Sequence, residues 1–129
     1  MILAIDIGNT NIVLGGFEGE TILFIERIST NQAATDLEYA SYVKTALDVH
    51  NIDPKEVQGA ILSSVVPSVT YTFQRAVQKY LNVSVTVVEP GMNAGNCSDY
   101  QITAQLCRIV DNNTQTGFHA RFYNGYRNI

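Results

Sequence analysis

The sequence predicts an α/β fold in which a mixed sheet carries packed helices, in the order β-β-β-α-β-α-β. Three observations predict it. The first 28 residues hold three apolar runs of strand length, parted by short turn-forming breaks. Two later stretches repeat apolar residues at helical spacing, and a nearly continuous apolar run from Gly59 to Val66 lies between them. A meander followed by alternating helix and strand calls for antiparallel and parallel pairing within one sheet.

Ile2 to Ile7, Ile12 to Phe17 and Thr21 to Ile28 read as successive strands, the last two joined by a Glu18-Gly19-Glu20 turn. Thr35-Asp36-Leu37-Glu38 has the spacing of a capping box, in which a hydroxyl and a carboxylate satisfy free N–H groups at a helix start. The helix is expected to run to about His50, with Leu37, Ala40, Val43 and Leu47 on its packed face. Tyr39 and Tyr42 fit helix packing, and His50 fits a helix C-terminus, where dipole and capping account for it.

Asn51-Ile52-Asp53-Pro54 breaks the chain, and Gly59 to Val66 suits a strand covered on both faces. Pro67 ends that strand. A second helix is expected from about Ser68 to Leu81, with Val69, Phe73, Ala76, Val77 and Tyr80 inward, and Val83 to Val88 forms the last strand.

Composition narrows the function. At 129 residues, with 46% hydrophobic and 16% charged side chains, the chain has the make-up of a globular domain and not of a disordered segment. A net charge of −4 offers no basic footprint for nucleic acid or for an anionic membrane surface. No apolar run approaches a spanning length, and Asp6 interrupts the N-terminal run without a basic segment before it, so a cytoplasmic protein is expected. Cys97 and Cys107, with His50 and His119 elsewhere, fit no zinc spacing.

The stretch with chemical content is Met1 to Gly16. An apolar run reaches Asp6, turns through Gly8-Asn9-Thr10-Asn11, and resumes. Gly8 tolerates φ > 0 and the close approach of another group. Asn9, Thr10 and Asn11 bring side-chain donors and backbone N–H groups to one bend. Asp6 would anchor a hydrated Mg²⁺, which prefers one or two carboxylates together with phosphate oxygens and water. The alternative is an ordinary hairpin whose Asn and Thr side chains cap their own turn. There is no G-x-x-x-x-G-K-[ST] segment, and the turn leads into a strand instead of a helix, which points away from dinucleotide folds. Ser63 and Ser64 interrupt the apolar run at the end that would lie beside Asp6 if the two strands are parallel neighbours, the usual place for ligands in such sheets. Serines bonded to nearby backbone are the competing explanation.

Asp6-Ile7-Gly8-Asn9-Thr10, with Gly15 five residues beyond, resembles the first phosphate motif of the type III pantothenate kinases, of the actin-like, ribonuclease-H-like superfamily. Further matches follow in order: Arg27-Ile28-Ser29-Thr30, Thr35-Asp36-Leu37-Glu38-Tyr39, Ser63-Ser64-Val65-Val66-Pro67, and Glu89-Pro90-Gly91-Met92-Asn93-Ala94-Gly95. The resemblance implies one half of the duplicated actin-like fold. It also implies transfer of the ATP γ-phosphoryl group to pantothenate, giving 4'-phosphopantothenate in the first step toward coenzyme A. Asp6 would hold Mg²⁺ and residues Gly8 to Asn11 the phosphates of ATP, while Tyr100 and Arg108 would contact pantothenate. A monovalent cation, K⁺ or NH4⁺, and a homodimer are implied as well.

The pattern changes after Gly95. Residues 1 to 95 carry five basic and ten acidic side chains, whereas residues 96 to 129 carry three arginines and two aspartates in a tail without periodicity. Family members have a Gly-Ala-Asp-Arg motif here, whose Asp is the proposed base. In this chain Cys107 directly precedes Arg108, and Asp111 lies three residues beyond it. The expected organisation is a kinase-like subdomain over 1–95 and an irregular or out-of-frame tail over 96–129. Two accounts stay open, a frameshifted copy of a longer kinase and a short paralogue without catalysis. The second would be a regulatory, accessory or nucleotide-binding module that keeps only the half-fold.

Overall fold

The structure is a computed structural model, and it describes residues 1–19 and 21–88. Eight elements follow in order. They are strands β1 (Ile2–Ile7), β2 (Asn11–Glu18) and β3 (Thr21–Ser29), helix α1 (Asp36–Val49), a 3-10 turn (Pro54–Glu56), strand β4 (Gly59–Ser64), helix α2 (Pro67–Leu81) and strand β5 (Val85–Val88). The expected order of strands and helices is the order observed. The turn at Glu18 and Gly19 places Gly19 in the left-handed region, at φ 58°.

The strands form one mixed sheet in the spatial order β3-β2-β1-β4-β5. β1 is antiparallel to β2 and β2 to β3, while β1 and β4 run parallel. Leu3, Ile5 and Ile7 of β1 belong to the same buried cluster as Tyr39, Val43 and Leu47 of α1 and Val69, Phe73 and Val77 of α2. Because side chains alternate along a strand, Ala4 and Asp6 point to the other face. They too are buried, as are Val13 and Ile61 on the neighbouring strands.

Gly16 explains one local irregularity. A Cβ there would lie 2.5 Å from the Phe24 ring and 2.9 Å from the Met1 methyl, so only a bare backbone lets the ring settle over β2. The β2–β3 register slips just beyond it, between Gly16 and Phe17. Phe24 in turn stacks on the His50 ring, centroids 5.0 Å apart.

Several element ends differ from expectation. Leu37 is 66% exposed and does not join the packed face of α1, which Tyr39, Ala40, Val43, Ala46 and Leu47 form. A capping-box residue sits in the first turn, ahead of the stripe that meets the sheet. β4 stops at Ser64 because its hydroxyl accepts from Val66 N–H at 3.0 Å, turning the chain. α2 begins at Pro67 itself, since proline suits a first helical position where no N–H is needed. β5 starts at Val85, two residues later than expected. The capping box at Thr35 and Glu38 is present, and His50 is the C-cap of α1, its ring 2.7 Å from Glu26. Among the described residues no helix is long and apolar enough to cross a membrane.

Candidate functional site

Asp6 is the penultimate residue of β1, and only 6% of it is accessible. The parallel register sets Ser63 of β4 beside it, also buried, and the antiparallel register sets Val13 of β2 on its other side. Paired residues on adjacent strands project to the same face. Asp6 and Ser63 are therefore side-by-side polar groups in an otherwise apolar surface, at the strand ends where the chain turns. The two serines part ways. Ser64 is spent locally, its hydroxyl bonded to both the N–H and the carbonyl of Val66, whereas Ser63 is buried beside Asp6.

The turn leaves β1 directly beyond Asp6. Gly8 N–H donates to the Asn11 carbonyl at 2.9 Å, and Asn9 and Thr10 are exposed at the tip. Gly8 is not in the left-handed region. Its lack of a side chain matters because a Cβ would stand 3.1 Å from the Asn11 carbonyl oxygen. The glycine thus eases a close approach of backbone to backbone, and the φ > 0 option goes unused.

Thr30, just past the end of β3, grips the turn from the side. Its hydroxyl donates to the Gly8 carbonyl at 2.7 Å and its N–H donates to the Thr10 carbonyl at 2.9 Å. The next residue is itself pinned. Asn31 N–H donates to the Tyr39 hydroxyl at 3.1 Å, and that hydroxyl donates to the Asn31 carbonyl. Tyr39 is fully buried, with its ring 5.0 Å from that of Phe73. A run of contacts therefore joins the helix layer to the turn. Thr30 stands in a recognisable motif, but nothing in that motif points to a role for its hydroxyl.

The donor set at Asp6 fits Mg²⁺. It is a hard carboxylate oxygen at the mouth of a turn rich in donors, and Mg²⁺ takes one or two such carboxylates along with phosphate oxygens and water. Among the described residues no cluster of three or more His, Cys, Asp and Glu could hold a metal by itself. Tyr100, Arg108, Cys97, Cys107, Asp111 and the Glu89-to-Gly95 motif lie outside the described residues.

Comparison with known proteins gives a consistent picture. Residues 2–111 match the family described as type III pantothenate kinase. A type III pantothenate kinase from an Exiguobacterium species is 46% identical over 95 residues, covering 74% of this chain and 37% of that protein. The Finegoldia magna enzyme of the same name is 41% identical over 100 residues, covering 78% of this chain and 38% of its own length. The chain thus spans less than two-fifths of these relatives. Among solved structures, a ROK hexokinase from Thermus thermophilus superposes with a TM-score of 0.54 at 14% identity, covering 70% of this chain and 35% of the hexokinase. That likeness establishes the actin-like fold of the sheet and helices.

Proposed function

The chain belongs to the type III pantothenate kinase family, and on that premise we propose that it supplies the metal- and phosphate-binding half of an ATP:pantothenate phosphotransferase. The reaction is transfer of the γ-phosphoryl group of ATP to the pantothenate hydroxyl, giving 4'-phosphopantothenate on the way to coenzyme A. One observation carries the reading. A buried carboxylate, Asp6, stands at a donor-rich turn that Thr30, just past β3, holds in place.

Phosphoryl transfer needs positioning and charge neutralisation more than covalent help from the protein. Asp6 would hold Mg²⁺, which neutralises phosphate charge when bound. The turn from Gly8 to Asn11 would receive the phosphates, with Asn9 and Thr10 offering donors at its exposed tip. Burial strengthens the pull of Asp6 on a cation, because little water competes for the carboxylate. Tyr100 and Arg108 are the proposed pantothenate contacts, Arg108 through its planar fork of donors. A monovalent cation, a homodimer and a cytoplasmic location belong to the same proposal.

A second reading is favoured by Cys107 standing directly before Arg108, where the family resemblance implies an aspartate. On that reading the chain binds nucleotide, or serves as an accessory module, without turning over. Both readings share the Asp6 site. Titrating the isotope-labelled chain with Mg·ATP should move the amide resonances of residues 8 to 11, and Asp6→Asn should weaken the response about tenfold, the effect of losing one charged partner. Equal titration of the wild type and Asp6→Asn would leave the turn a plain hairpin. Pantothenate-dependent ADP release by the chain alone would remove the non-catalytic reading.

A further inference from the structure

We propose that Thr30 is the positioning residue of this site, acting by fixing two peptide planes of the phosphate turn. The inference rests on the phosphate-turn reading above and adds a residue to it. Peptide units are planar and trans, so the carbonyl and the N–H across one bond point in opposite directions. By holding the Gly8 carbonyl at 2.7 Å, the Thr30 hydroxyl fixes the Gly8–Asn9 plane. The Asn9 N–H must then point away from β3, on the side opposite the clamp. Thr30 N–H holds the Thr10 carbonyl at 2.9 Å, which fixes the Thr10–Asn11 plane in the same way.

A donor aimed in advance costs no ordering entropy when an anion arrives, and a turn free to flip its peptides would have to be ordered at that moment. The ligand this geometry suits is a phosphate group of a nucleotide, whose oxygens accept N–H bonds. Thr30 never needs to touch it. The clamp is also stiff at its own root, because Tyr39 pins Asn31 through both the N–H and the carbonyl. Two bonds from a single residue hold opposite ends of the bend, and the Gly8 N–H to Asn11 carbonyl bond closes it internally.

Thr30→Val keeps the shape and the backbone bond but removes the hydroxyl, and Thr30→Ser restores the hydroxyl. In the full chain titrated with Mg·ATP, Thr30→Val should bind about fivefold more weakly, the worth of one neutral hydrogen bond. Thr30→Ser should stay within about twofold of the wild type. Hydrogen exchange without nucleotide supplies a readout independent of binding: the Gly8 N–H should exchange faster in Thr30→Val and at the wild-type rate in Thr30→Ser. Thr30→Val binding like the wild type while Asp6→Asn binds weakly would overturn the positioning role and spare the site. If the wild type and Asp6→Asn titrate alike, the site reading itself fails. An unchanged Gly8 exchange rate in Thr30→Val would overturn the clamp whatever the titration gives, and loss of stability without loss of binding would leave Thr30 merely structural.

Discussion

Tyr39 shows how a single hydroxyl can hold the loop that leads into its own helix. It accepts from the Asn31 N–H and donates to the Asn31 carbonyl, inside a fully buried environment. Tyr39→Phe would keep the ring contact with Phe73 and orphan both backbone groups, so a loss of about 1–3 kcal/mol is expected. Urea unfolding followed by circular dichroism measures it, and an unchanged midpoint would show that water satisfies both groups. At this scale the sequence was informative about chemistry and silent about reach. Asp6 and Gly8 stood out as candidates because a carboxylate and a glycine at a turn suggest a cation partner and close approach, and the structure shows the burial of the one and the tight backbone contact of the other. Thr30 did not stand out, since its bond to Gly8 joins residues 22 apart and exists only once β2 and β3 are in register.

Elements were legible where periodicity and turn chemistry agree. The strand–turn–strand opening, the capping box at Thr35 and the break before Pro54 all stand where local residue types put them. Leu37 was misleading because helical spacing marks a stripe without saying where the neighbouring layer begins, and the first turn of α1 extends past it. The pairing of Gly16 with Phe24 was equally hidden, since glycine in a strand reads only as weak strand propensity until the facing ring is known. Gly16→Ala tests this contact. The new methyl group would meet the Phe24 ring at 2.5 Å, and overpacking of this kind costs about 1–3 kcal/mol. A lower thermal midpoint, with loss of the ring-current shift that Phe24 and His50 exert on each other, is the expected outcome. Unchanged stability would mean that the ring swings aside freely.

Across the described residues the fold is ordered around β1, which has β2 on one side and β4 on the other. The mixed pairing was legible because an N-terminal meander pairs antiparallel and a helix between two strands permits parallel pairing, whereas the spatial order, with β1 and not the apolar β4 in the middle, was not. Registers were not, since they depend on cross-strand packing. Those registers place Leu14 and Leu62 on either flank of Ile5, both fully buried in the same cluster. Their histories in folding differ. Leu14 reaches Ile5 by closing a short turn, whereas Leu62 reaches it only after β3 and α1 have been enclosed, and closing the longer loop costs entropy before any pairing repays it. The consequence is temporal: matching truncations at these two positions, each costing about 3 kcal/mol at equilibrium, should leave different traces in time. Leu14→Ala should mainly slow folding, and Leu62→Ala should mainly speed unfolding. Stopped-flow chevrons that change the same limb in both variants would show that the central strand acquires its two neighbours together.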